Sequence, residues 1–306
     1  MSILHFRMII LTLLALFLLL PSIFHVSGTP KINQSSTDLA IGNSHARAIN
    51  FHAMGLVGHN DYEDGADVRQ TINRYYELEK SLPSLVRVWI PVAPGYIFRD
   101  KTNPKWARHE IFHSRFFDEY LSRFFDEYLK LSQPVSYFWS VGKRQLVTFK
   151  ERLLHNTQHK ETHIIVEGAT ASRKILKVEE VDQLAETTAL GHSENSSLQN
   201  TANIKRLEKF SEYLRQKDIT LIFFTPPYTS EYYNHPLLAD FESSYKTKLT
   251  QIVEKHSNTH YFDFHDLYQR ESYMYFHDDD HLNLYGAKAF SSILQQAVSD
   301  KLNLYN

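Results

Sequence analysis

Two short segments carry residue types able to do chemistry together. One is Ile41-Gly42-Asn43-Ser44-His45-Ala46, and the other is Phe276-His277-Asp278-Asp279-Asp280-His281. A serine hydroxyl becomes an effective nucleophile only when a neighbouring base removes its proton. An imidazole supplies that base when a carboxylate holds one of its nitrogens and the other faces the hydroxyl. Side chains three residues apart can meet in a turn. Asp278 is therefore expected to accept from His281, whose second nitrogen would face Ser44; Asp279 and Asp280 do not occupy that orienting position. The product would be acyl transfer through an acyl-serine.

The elements around these segments must bring them together across most of the chain. Asp38–Gly42 reads as a strand and His45–Met54 as the helix it feeds, so Ser44 falls at a strand-to-helix turn. Amides at a helix start are unpaired and lie in a favourable dipole, which suits them to a developing oxyanion. Gly42 would allow close backbone approach there. The simpler reading of Ser44 by itself is a helix N-cap.

Further along, Leu85–Ala93, Ile219–Thr225 and His260–Phe264 read as strands, and 67–82, 200–217, 237–256 and 284–302 as helices. The almost wholly apolar run at Ile219–Thr225 suits a strand covered on both faces. Strands alternating with amphipathic helices give an α/β protein with a mainly parallel sheet. In an open sheet of this kind, both segments converge at the carboxyl edge.

Composition narrows the alternatives. Of 306 residues, 42% are hydrophobic and 22% charged, with a formal charge of −2. That balance excludes wholesale disorder and a strongly basic nucleic-acid binder. With Cys 0, thiol catalysis, disulfides and cysteine-ligated metals are excluded too.

The sequence resembles the SGNH, or GDSL-like, esterases and acyltransferases. Gly42-Asn43-Ser44-His45 matches the nucleophile block, with Asn43 where many members have Asp, and Asp278-x-x-His281-Leu-Asn-x-x-Gly286-Ala matches the closing block. The resemblance brackets residues 38–298 and implies a flavodoxin-like three-layer α/β/α sandwich. It also implies catalytic Ser44, His281 and Asp278, with no cofactor and no metal. Its oxyanion hole would use the amides of Ser44 and Gly58. The usual Gly-x-Asn block is missing after the strand ending near Val92, where Val92-Ala-Pro-Gly-Tyr96 stands instead. Asn60, in Gly58-His59-Asn60, is the candidate for the asparagine donor.

At the amino terminus, Met8 to Leu20 is an apolar run interrupted only by Thr12, with Arg7 before it and Pro21 after it. It reads as a signal peptide or membrane anchor over residues 1–28, followed by a linker at 29–37 and an SGNH-like domain over 38–306. The expected location is exported, membrane-anchored or periplasmic, with the domain outside the cytoplasm. A tethered, exported chain looks most like family members that add or remove O-acyl groups on surface polysaccharides. An acylated glycan or acyl donor is then the partner, and nucleic acid is not.

The less regular stretch at 130–195 reads as an insertion or cap. Ser114–Leu121 is repeated without change as Ser122–Leu129, which reads as one helix lengthened by about two turns.

Two further readings use the same residues. His277 and His281, spaced i, i+4 with three aspartates between, could ligate a divalent metal. A catalytically silent scaffold of the same fold would bind glycan or assemble with a membrane acyltransferase.

Overall fold

A sheet of five parallel strands organises the chain: β1 (Asp38–Gly42), β2 (Gly58–Tyr62), β3 (Arg87–Pro91), β4 (Thr220–Thr225) and β5 (Thr259–Asp263). The computed structural model describes residues 32–99, 173–194, 196–198, 201–268 and 270–302. All of them fall in one unit, formed by Ile32–Asp100 with Thr162–Asn306. Strand order is β2-β1-β3-β4-β5, the flavodoxin-like order of doubly wound proteins.

Side-chain alternation along the strands explains the layers. Leu39, Ile41, Val88, Ile90, Leu221 and Phe223 point to one face. They pack there against helices α1 (Val68–Leu78), α2 (Val181–Glu194), α3 (Ala202–Arg215) and α4 (Ala239–Lys255). Ala40, Trp89, Ile222 and Phe224 point to the other, against the Ala48–Met54 segment and helix α5 (Leu284–Leu302). Both faces are covered, as the unbroken apolar run of β4 required.

Three features of the structure go beyond the sequence reading. The segment after β1 is a single 3-10 turn, Ser44–Ala48, and not a helix to Met54. Its carbonyls are captured from outside: Asn60 Nδ2 donates to Ala46 (2.8 Å) and Ile49 (3.1 Å), and Ser291 Oγ donates to Ala48 (2.9 Å). Strand β2, Gly-His-Asn-Asp-Tyr, is an edge strand with every residue half-buried, and no alternating apolar pattern in its sequence announces it. Helix α2 lies inside the 130–195 stretch read as an insertion, yet its Ala185 and Ala189 are buried in the main core. Residues 130–172 and 195 of that stretch, the 114–129 repeat and the 1–28 segment lie outside the described residues. Among the described residues, no helix is long and apolar enough to cross a membrane.

Candidate active site

Ser44 is held at the carboxyl edge of the sheet by a tight exit from β1. Gly42 ends the strand at φ +147, and a Cβ there would sit 2.7 Å from Pro91 Cδ. Only glycine permits that conformation so close to β3. Asn43 caps the following turn, its side chain accepting from the amide of His45 at 3.1 Å. The capping task therefore belongs to Asn43, and the Ser44 hydroxyl is free for another partner.

That partner is His281. Ser44 Oγ lies 2.6 Å from His281 Nε2. His281 rides on a loop pinned at both ends. Phe276 bridges Leu282, the His277 amide donates to the His281 carbonyl (2.8 Å), and buried Asn283 donates to Met274 and Phe276 while accepting from the Tyr285 and Gly286 amides. Thr229 ties the middle of the loop to the segment after β4 through the Asp279 carbonyl. The loop is thus fixed against both β4 and α5, which sets the imidazole at the sheet edge.

Asp278 meets His281 Nδ1 at 3.0 and 3.2 Å, the i, i+3 contact that the spacing suggested. Asp280 also approaches the same nitrogen, Oδ1 to Nδ1 2.7 Å. Spacing alone did not reveal it, because adjacent side chains usually diverge and only this loop's fold turns Asp280 inward. Two more histidines gather behind it. His45 stacks on the His281 ring, centroids 4.7 Å apart, and points Nε2 at Asp280 Oδ2 from 3.6 Å. His192, from α2, lies 4.0 Å from the same oxygen and shares a 2.6 Å bond with Tyr232.

The electrostatics follow from this packing. Burial drives His45 down to about 3 and His192 down to about 4, so both are neutral near pH 7. Burial also works against a charged His281, but Asp280 and the Asp278 bond outweigh it and hold its pKa well above the ordinary imidazole value. Burial would raise the Asp280 pKa, yet the neighbouring His281 charge carries it well below the usual carboxylate range. Asp279, buried beside two other carboxylates, is pushed up to about 8.

Two of the three oxyanion candidates, Gly58 and Asn60, need correction. Gly58 opens β2 and pairs with Asp38, at the amino edge of the sheet, whereas Ser44 follows the opposite edge. The intervening strand spans roughly 13 Å. A Cβ at position 58 would lie 2.3 Å from the Phe51 ring, so this glycine serves packing and not an oxyanion. Asn60 donates its side-chain amide to the Ala46 and Ile49 carbonyls, which braces the Ser44 turn from behind. On the correct edge, the loop after β2 begins with Glu63, whose amide donates to Gly42, and continues to Gly65 at φ +70. The place of the missing Gly-x-Asn block is a helical turn, Pro94–Ile97.

For a metal, the candidate ligands are His45, Asp280 and His281, or Asp278, Asp279 and Asp280, clustered within 4.8 Å. In the His277/His281 pairing both nitrogens of His281 are already engaged, by Ser44 and by the aspartates, and His277 Nε2 lies 3.9 Å from Asp278.

Fold and site together give an α/β protein in which a serine, a histidine and two aspartates are in contact at the carboxyl edge of a parallel sheet. No family model and no curated protein matches the chain. Several solved structures are similar to it. A protein provisionally named an acylhydrolase, from Bacteroides fragilis, is 13% identical, with 89% of this chain and 91% of that one covered and a TM-score of 0.43. A catalytic variant of an acetylxylan esterase from Geobacillus stearothermophilus is 12% identical, covering 89% and 95%, with a TM-score of 0.37.

Proposed function

We propose that the chain is a serine-dependent ester hydrolase or O-acyltransferase of the SGNH type. The observation that carries this reading is the 2.6 Å contact between Ser44 Oγ and His281 Nε2, with carboxylates on the other ring nitrogen. A serine in a purely capping role would have no need of an imidazole in that position.

In the proposed reaction, His281 takes the Ser44 proton as the oxygen attacks an ester carbonyl. The amide of Ser44, at the start of its turn, has no intrahelical acceptor and would donate to the oxyanion. The loop after β2 is the element able to supply a second amide. Collapse of the tetrahedral intermediate expels the alcohol, which takes the proton from His281. A water or sugar hydroxyl then attacks the acyl-serine, giving its proton to His281, and collapse of this second intermediate passes that proton to Ser44 Oγ and releases the carboxylic acid or the new ester.

The substrate we infer is an O-acyl group on a cell-surface polysaccharide, met outside the cytoplasm. Support comes from the apolar run Met8–Leu20 after Arg7, which suits export or anchoring.

The test is intact-mass detection of a covalent adduct with a fluorophosphonate probe. One adduct at Ser44, absent from Ser44→Ala, is expected. An unlabelled, natively folded wild-type protein would overturn the reading.

A further inference from the structure

The closing loop brings a carboxylate to His281 that its spacing does not nominate. We propose that Asp280, immediately before His281, is the principal positioning carboxylate of the site, and that Asp278 chiefly fixes the turn carrying both. The proposal rests on Ser44 and His281 being the acid-base pair of the reaction above.

The two aspartates divide along the lines of their contacts. Asp278 Oδ1 accepts the backbone amides of Asp280 (3.2 Å) and His281 (2.8 Å) as well as facing Nδ1 at 3.0 Å. One oxygen is shared among three donors, on a side chain 27% exposed to solvent. Asp280 Oδ1 sits closer to Nδ1, at 2.7 Å, and its side chain is only 5% exposed. A charge sheltered from water acts more strongly on its neighbour than one screened by it.

The surroundings of Asp280 also favour a single orientation. Its Oδ2 faces the Nε2 atoms of His45 and His192, one from the nucleophile turn and one from α2. His45 in turn stacks on the His281 ring. Asp280 therefore links the imidazole to both elements that flank it. The charged and titratable groups acting on this cluster include Asp278, Asp279, Asp280, His45, His192 and Arg99, with His277, Tyr228 and Tyr232 at its edge.

Isosteric amides separate the two roles. Asn at position 278 keeps an oxygen for the two backbone amides, so the turn survives while the charge bonded to Nδ1 is lost. Asn at position 280 removes the buried charge from Nδ1 and lets the side-chain amide favour the wrong imidazole tautomer. Asp278→Asn should lower kcat/KM by less than about 10-fold, and Asp280→Asn by on the order of 10²-fold or more.

A second readout does not depend on turnover: ¹⁵N-histidine NMR of the full chain, following the His281 tautomer and its titration. Asp280→Asn should lower the His281 midpoint further than Asp278→Asn does. The proposal is overturned if Asp278→Asn is the more damaging variant by either measure, or if the His281 midpoint is unmoved in Asp280→Asn. Should Asp280→Asn fail to fold, a loss of 100-fold or more in well-folded Asp278→Asn is enough to overturn it. Failure of the hydrolase reading would look different, as an unlabelled wild-type Ser44 beside the expected fall of the His281 midpoint in Asp280→Asn.

Discussion

Ser44 Oγ and His281 Nε2 lie 2.6 Å apart although 237 residues separate them in the chain. Each is held by its own set of contacts: Asn43 and Gly42 on one side, Asn283 and Thr229 on the other. The pair should therefore act as a unit. Ser44→Ala and His281→Ala should each reduce turnover on the order of 10³-fold or more, and the double variant should cost little beyond either. Steady-state kinetics with an activated ester would show this. Additive losses would mean that the two residues serve separate steps.

The acid limb of the pH profile follows from the state of His281. As a base it must be neutral, and its pKa is held well above the ordinary imidazole value by Asp280 and Asp278 against the effect of burial. Activity should therefore rise with pH through a midpoint above about 6.5 in kcat/KM. The variant Asp280→Asn should bring that midpoint down. A profile already flat below pH 6.5 would remove His281 from the role. Loss of activity with a chelator, restored by a divalent ion, would point instead to the His45, Asp280 and His281 cluster as ligands.

Stability in acid should report on the two depressed histidines. His45 has a folded pKa of about 3 and His192 of about 4, against about 6.5 when unfolded. Between those values the unfolded chain binds more protons than the native one, so these residues make stability fall as pH drops from about 6.5 toward 4. Replacing His45 by Phe, which keeps a ring over His281, should reduce the slope of unfolding free energy against pH in that window by about one proton. Urea unfolding at a series of pH values measures it. An unchanged slope would mean that His45 titrates normally in the folded protein.

How much of this was legible in the sequence depended on where each signal came from. Strand β1, the long helix α5 and the apolar β4 were readable because periodicity and burial agree along a single segment. The Asp278/His281 contact was readable because both ends lie in one turn. Asp280 was not, since its inward direction is imposed by the Phe276–Leu282 bridge and the Thr229 contact. His192 was hidden for a related reason: α2 reaches the site only through tertiary packing. Strand β2 is polar and half-buried at the sheet edge, so it carries no alternating pattern. The Gly58 reading rests on the family resemblance and the Asn60 reading on a local spelling, Gly-His-Asn, and the position of both in β2 fits a different task.

Gly58 gives the packing side of that correction a direct test. A methyl group at this position would press on the Phe51 ring, which is itself buried. Gly58→Ala should destabilise the protein by about 1–3 kcal/mol, as overpacking does. The double variant with Phe51→Leu should recover part of that loss relative to the sum of the two single changes. Thermal unfolding of all four proteins completes the cycle, and strict additivity would show that the two positions do not press on each other.

Asn60 separates a brace from an oxyanion donor. Its side-chain amide is the partner of the Ala46 and Ile49 carbonyls, and Ala46 belongs to the turn that holds Ser44. In Asn60→Ala both carbonyls lose that donor; Ala46 keeps the Ile49 amide, and a buried carbonyl left unsatisfied costs about 1–3 kcal/mol where water cannot replace it. A substantial drop in melting temperature is therefore expected. Turnover measured well below that temperature should stay within about tenfold of wild type, because the Ser44–His281 contact does not pass through Asn60. An oxyanion donor would behave in the opposite way, with kcat falling on the order of 10²–10³-fold while stability held. Measuring both quantities on the same preparation decides between them: a stable, inactive Asn60→Ala protein would return Asn60 to the oxyanion hole and require its side chain to turn away from Ala46 when substrate binds.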